Sequence, residues 1–90
     1  MHGKGTLFDS LDNSKYIGFF QDGKKEGNGK MVLFDTNVRY NGGFIEDDYH
    51  GKGTIVFEDG SEYCGMFENG VFQGEGIMKW PNGRQYNGFF

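Results

Sequence analysis

The sequence predicts an all-β protein, an elongated single-layer antiparallel β-meander of stacked 23-residue hairpin repeats. Three observations predict it. The first is a strand motif, Tyr-x-Gly-x-Phe, at Tyr16-Gly18-Phe20, Tyr40-Gly42-Phe44, Tyr63-Gly65-Phe67 and Tyr86-Gly88-Phe90, with its tyrosines 24, 23 and 23 residues apart. The second is a Gly-x-Gly eleven residues after each of the first three tyrosines, at Gly27-Gly29, Gly51-Gly53 and Gly74-Gly76, with one further copy at Gly3-Gly5. The third is a set of turn pairs, Asp22-Gly23 and Asn69-Gly70 inside units, Asp59-Gly60 and Asn82-Gly83 between them. Such pairs favour the positive φ angles of tight hairpins. A fixed period with internal landmarks is the mark of a repeat architecture.

The elements follow in chain order. Residues 1–15 form a partial unit whose strand, 3–8, carries Gly3-x-Gly5. Units 16–39, 40–62 and 63–85 each contribute a Tyr-x-Gly-x-Phe strand and a Gly-x-Gly strand, and residues 86–90 open a further partial unit. That makes about eight short strands and no helix. Two connections lack a turn glycine, "EDDY" at 46–49 and "DTNV" at 35–38; the extra residue of the 24-residue spacing falls after Gly-x-Gly, where a loop or bulge is expected.

Side chains alternate faces along a strand, so Tyr63, Gly65 and Phe67 share one face, and Gly74, Gly76, Met78 and Trp80 share one face of the next strand. The same parity groups Tyr40, Gly42 and Phe44 with Gly51, Gly53, Ile55 and Phe57, and Tyr16, Gly18 and Phe20 with Gly27, Gly29, Met31 and Leu33. Rings lying flat over these glycines, Gly88 included, explain why seventeen glycines are present in ninety residues, against a usual share of about 7 per cent. A buried ring removes roughly 150–250 Å² from water, which at ~25 cal/mol per Å² outweighs a glycine cost of about 0.5–1 kcal/mol.

Composition narrows the function. A net charge of −4, with Lys24, Lys25 and Lys30 as the nearest approach to a cationic cluster, does not suit a nucleic-acid partner. The single cysteine, Cys64, forms no internal disulfide, no apolar run approaches the ~18 residues of a membrane span, and the polar start is not a signal peptide. A cytoplasmic chain is expected. Gly51-Lys52-Gly53-Thr54 lacks the earlier glycine of a phosphate loop, whose place is taken by Glu46. His2 and His50 both precede the first glycine of a Gly-x-Gly and are explained by repeat position; Glu46, Asp47 and Asp48 read as a solvated turn. No catalytic residue, metal or cofactor is expected.

The motifs Tyr-x-Gly-x-Phe, Asn-Gly or Asp-Gly, and Gly-x-Gly together resemble the MORN repeat family over essentially the whole chain. Phe stands here where Trp is commoner at the end of the first strand, and Asp9 stands where later units have Leu33, Phe57 and Trp80. The resemblance implies a twisted sheet with an aromatic groove on one face. It also implies non-catalytic roles in scaffolding, homodimerisation, binding of partner segments or attachment to phospholipid membranes, alone or beside a catalytic domain such as a lipid kinase or methyltransferase.

Two surfaces are expected to make contacts. On the aromatic face these are Tyr40, Phe44, Phe57, Tyr63, Phe67, Trp80 and Tyr86, rings with the apolar area and polar tips of interface anchors. On the second face alternation places Ile17, Phe19, Val32, Phe34, Ile45, Val56, Met66 and Ile77, which a single layer leaves to water or a partner unless long side chains such as Lys30 and Lys79 shield them. A protein partner or self-association, at cytoskeletal or membrane-associated structures, is the expected use. Phospholipid binding is the alternative; it gains about 1 kcal/mol per basic residue, and the chain is net acidic. The open first and last strands are expected either to be covered in a longer array or to pair end to end between copies.

Overall fold

The computed structural model describes residues 3–90, and His2 lies outside them. Among the described residues all regular structure is strand: β1 (Gly3–Asp9), β2 (Ser14–Gln21), β3 (Lys24–Leu33), β4 (Val38–Ile45), β5 (Asp48–Val56), β6 (Glu62–Glu68), β7 (Val71–Lys79) and β8 (Gln85–Phe89). The eight form one open sheet in sequence order, each neighbour antiparallel, with extents of 41 × 26 × 17 Å. The expected meander of hairpins is therefore the fold.

One register line crosses the whole sheet through glycine alone: Gly5, Gly18, Gly29, Gly42, Gly53, Gly65, Gly76 and Gly88 are successive Cα partners. The tyrosine two residues before a rib glycine lies down over it and over the rib glycine of the following strand. A Cβ built on Gly29, Gly53 or Gly76 would meet ring atoms of Tyr16, Tyr40 or Tyr63 respectively, closer than any real packing permits. Each ring then reaches back to its own strand, where its hydroxyl donates to a carbonyl three residues on: Tyr16 to Phe19, Tyr40 to Gly43 and Tyr63 to Met66, all at 2.8 Å.

Those carbonyls belong to the residues at which the hairpin ladder breaks. Gly18 pairs with Gly29 but Phe20 pairs with Lys25, so Phe19 alone faces three residues, 26–28; Gly43 and Met66 face 50–52 and 73–75 in the same way. This bulge corrects one expectation. Gly27, Gly51 and Gly74 do not lie beneath rings. They sit in the bulge at φ of +79°, +78° and +84°, and the nearest neighbour of an added Cβ is Phe19 Cβ at 3.7 Å, nothing within 4 Å, and Met66 Cβ at 3.9 Å. Two extra residues displace them from strict alternation, and glycine is needed there for its backbone freedom.

The turn expected within residues 46–49 forms without a glycine. Ile45 pairs with Asp48, leaving a two-residue turn in which Glu46 and Asp47 both have positive φ, +48° and +72°. The turn needs no glycine because the preceding hairpin holds it: Asp47 N donates to Lys25 O (3.1 Å), and Lys25 N donates to Asp47 Oδ1 (2.8 Å). Gly70 N reaches Tyr49 O in the same manner (3.0 Å), so each hairpin tip is tied to the one before it. The extra residue of the first unit lies in the loop 34–37, as expected; the later connections close over 58–60 and 81–83.

The core is one layer of rings, and among the described residues no second sheet covers it. Tyr16, Phe20, Tyr40, Phe44, Ile55, Tyr63 and Phe67 are buried. Tyr16, Tyr40 and Tyr63 each meet their own unit's phenylalanine edge-on at 5.1 Å and the next unit's at about the same distance: Tyr16 to Phe44 at 5.0 Å, Tyr40 to Phe67 at 5.2 Å, Tyr63 to Phe90 at 4.8 Å. Edge-to-face pairs at these distances add about 0.5–1.5 kcal/mol each beyond area burial. The repeat length thus sets the packing directly, because every unit supplies half of its neighbour's core.

Candidate functional site

The aromatic face is mostly interior. Of the rings expected to meet a partner there, Tyr40, Phe44, Tyr63 and Phe67 are at most 3 % exposed, Phe57 is half-buried, and only Trp80 and Tyr86 are open, at 41 % and 47 %. The first four present no contact surface, since they are consumed in packing between units. Two further core residues escaped the sequence reading: Tyr49 stacks on Tyr40 at 4.0 Å and Phe72 on Tyr63 at 4.2 Å. Both stand nine residues after a repeat tyrosine, a spacing that would have found them. The first unit has Lys25 at that place, its Nζ 5.5 Å from the Tyr16 ring centre.

Burial sets the chemistry of these tyrosines. Loss of water around Tyr40, with Tyr49 beside it, pushes its hydroxyl up to about 12, and burial raises Tyr16, Tyr49 and Tyr63 in the same direction. The fold therefore favours the protonated hydroxyls. Their contribution to stability is full below the unfolded-state value near 10 and is lost as the pH climbs toward 12. We expect a thermal midpoint that is flat from pH 7 to 9 and falls above pH 10, tracking tyrosinate absorbance. A midpoint unchanged at pH 11 would contradict this burial effect. Asp59 runs the other way: hydrogen bonds from the Ser61 hydroxyl (2.5 Å) and backbone N–H (2.8 Å) hold its carboxyl below the usual range, which fixes the 58–60 connection.

The second face is open. Ile17, Phe19, Phe34, Ile45 and Met66 are exposed and Val32, Val56 and Ile77 half-buried; Phe34 stands in a connection and the others in strands. Strand register interleaves these apolar residues with basic ones. One line runs Lys15, Val32, Arg39, Val56, Glu62, Lys79; the next runs Ile17, Lys30, Asn41, Thr54, Cys64, Ile77; a third places Lys4 beside Phe19 and Lys52 beside Met66. Between the lines lie shallow hollows floored by the glycine rib. One of about 370 Å³ has Lys4, Ile17, Phe19 and Lys30 on its walls, and one of about 460 Å³ has Lys52, Cys64, Glu75 and Ile77. The basic residues were not legible as a group in the sequence, where they are scattered singly; their shared parity with the apolar positions is the signal that joins them.

No group of three or more metal-ligating side chains comes together among the described residues. Cys64 is half-buried and receives only the Thr54 hydroxyl, at 3.5 Å. What this face offers is an open, mixed apolar and cationic surface on a sheet whose other face is largely filled.

Comparison with curated proteins gave no match to the chain. A family model does match: the MORN repeat, at residues 16–38, 40–62 and 63–83, three consecutive units that coincide with the hairpins above. With well over half of its length so matched, the chain belongs to the MORN repeat family.

Proposed function

We propose that the chain is a non-catalytic interaction module that scaffolds a protein partner on the second face of its sheet. The observation that carries this reading is the row of exposed apolar residues, Ile17, Phe19 and Met66 among them, on the one sheet face that no ring layer covers. A face of this kind gains free energy when covered, at ~25 cal/mol for each Å² of apolar surface removed from water. Membership of the MORN repeat family is consistent with the same reading.

Peptide-display selection against the immobilised, folded chain tests it. Peptides are expected to be enriched, and their affinity to fall about tenfold or more when Phe19 and Met66 are both changed to Ser, two exposed anchors of the kind that dominate interfaces. Enriched peptides that ignore this pair and respond instead to Trp80→Ser and Tyr86→Ser would move the site to the first face and sink the reading. So would the absence of any enrichment.

A further inference from the structure

The charge of the molecule is sorted by place. Of nine Lys and Arg, six (Lys4, Lys15, Lys30, Arg39, Lys52, Lys79) stand on the central lines of the second face, with Glu62 and Glu75 on the same lines, Glu26 in the bulge facing Phe19, and Asp48 and Glu68 at the flank beside Ile45 and Met66. Seven of thirteen acids stand instead in the connections: Asp22, Glu46 and Asp47 along one rim of the sheet, Asp12, Asp35, Glu58 and Asp59 along the other. A chain of net charge −4 therefore presents a strip richer in cations than the rest of the molecule, bounded by acidic turns on both long sides along β1 to β6, while the last two turns, Asn69-Gly70 and 80–84 with Arg84, carry no acid. The strip also carries the exposed apolar residues just described.

Resting on the reading of a protein-binding module, we propose that the occupant of this face is an acidic, apolar-bearing protein segment laid across the strands. Charge complementarity selects the sign, and exposed Ile17, Phe19 and Met66 between the cations select a segment with apolar side chains among its carboxylates. The dimensions select a single segment. Seven strand spacings of ~4.8 Å make the strip about 34 Å long, the reach of roughly ten extended residues. Two steps of two residues along each strand make it about 13 Å wide. A second copy apposed by the same face would bring the six cations against six more. An anionic bilayer is planar and broader than the strip, and would meet both acidic rims as well. A single-stranded nucleic acid needs successive aromatic platforms, whereas the middle of the strip offers Val32, Thr54, Val56 and Ile77.

The test uses the folded chain and a labelled peptide of about twenty residues mixing Glu and Asp with Leu and Phe. Two counterparts accompany it, one with every acid replaced by Lys and one with every Leu and Phe replaced by Ser. Anisotropy titrations are expected to show the acidic apolar peptide binding about tenfold or more tighter than either counterpart, and weakening with added salt, since exposed charges are screened beyond about 10 Å at 0.1 M. Lys30→Glu, Arg39→Glu and Lys52→Glu together should weaken it about tenfold or more, and the corresponding Gln changes by an intermediate factor. All three side chains are exposed. A thermal midpoint equal to the parent's confirms that the variants are folded, and the Gln set stands in should the Glu set fail. Equal binding of the Lys counterpart, or no change in the Glu and Gln sets, overturns the inference while leaving the protein-binding reading intact if Phe19→Ser with Met66→Ser still abolishes binding. Tighter binding of phosphatidylserine vesicles or of a twenty-nucleotide thymidine strand than of the peptide overturns it in favour of that ligand. Failure of all peptides, whatever their charge, removes both.

Discussion

Gly65→Ala is expected to unfold the protein or to lower its thermal midpoint by more than about 12 °C, whereas Gly70→Asn leaves the midpoint within a few degrees. A Cβ on Gly65 would stand 2.6 Å from Gly76 Cα and 2.8 Å from Glu75 O, backbone atoms of the neighbouring strand that no rotamer change can move aside. One methyl group would therefore have to part β6 from β7 along the register line that holds all eight strands together. Overpacking of this kind costs typically 1–3 kcal/mol where side chains can give; with backbone on the far side we expect at least about 3 kcal/mol, and each kcal/mol is about 4–8 °C for a domain of this size. Gly70 lies at φ +86° in a turn with nothing within 4 Å of an added Cβ, a place where asparagine is tolerated. Thermal melts followed by near-ultraviolet circular dichroism compare the two. Similar midpoints would mean that the glycine rib is not a packing feature.

How far the sequence could be read depended on whether the cause of a residue was local. The rings over Gly29, Gly53 and Gly76 were legible because alternation, spacing and bulk all pointed to one contact. Gly27, Gly51 and Gly74 carry the same letter two residues away for a different reason, and a positive φ leaves no trace in the sequence that distinguishes it from want of space. The turn at Glu46-Asp47 was legible as a solvated turn, but its support was not, because that comes from Lys25, twenty-two residues earlier in the preceding hairpin. Tyr49 and Phe72 were hidden by the same lysine, whose presence breaks the aromatic column in the first unit. The basic strip was hidden by arithmetic: a total of −4 says nothing about sorting, and cations two strands apart become neighbours only once register is known. The aromatic face misled in the opposite direction. Rings that look like interface anchors were spent on the contacts between units, because a single layer has nothing else with which to build a core.

Tyr63→Ala should be the most damaging substitution at a ring position, and its effect should reverse the sign of a second one. Tyr63 is completely buried, stacks on Phe72 at 4.2 Å, meets Phe67 and Phe90 edge-on, and satisfies Met66 O at the bulge. Truncation removes these contacts and leaves a hole floored by two glycines, Gly65 and Gly76, so a loss of about 3–5 kcal/mol is expected. Tyr86→Ala, at the equivalent place on the edge strand but 47 % exposed, should lose about 1 kcal/mol. The sharper expectation is in the pair. All three nearest neighbours of a Cβ on Gly76 belong to the Tyr63 ring, at 2.5–2.7 Å, whereas those of Gly65 include backbone. Gly76→Ala should therefore destabilise the parent strongly yet become neutral or stabilising once Tyr63 is Ala, because the methyl group then fills part of the hole and restricts the unfolded chain. Gly65→Ala should remain destructive in both backgrounds. Denaturant melts of the three single and two double variants beside the parent give the couplings directly, provided that a stabilising co-solvent keeps the Tyr63→Ala chains folded at the start of each titration. A coupling of at least about 2 kcal/mol is expected between Tyr63 and Gly76, with much less between Tyr63 and Gly65. Additive effects at Gly76 would show that its lack of a side chain has some cause other than the ring above it.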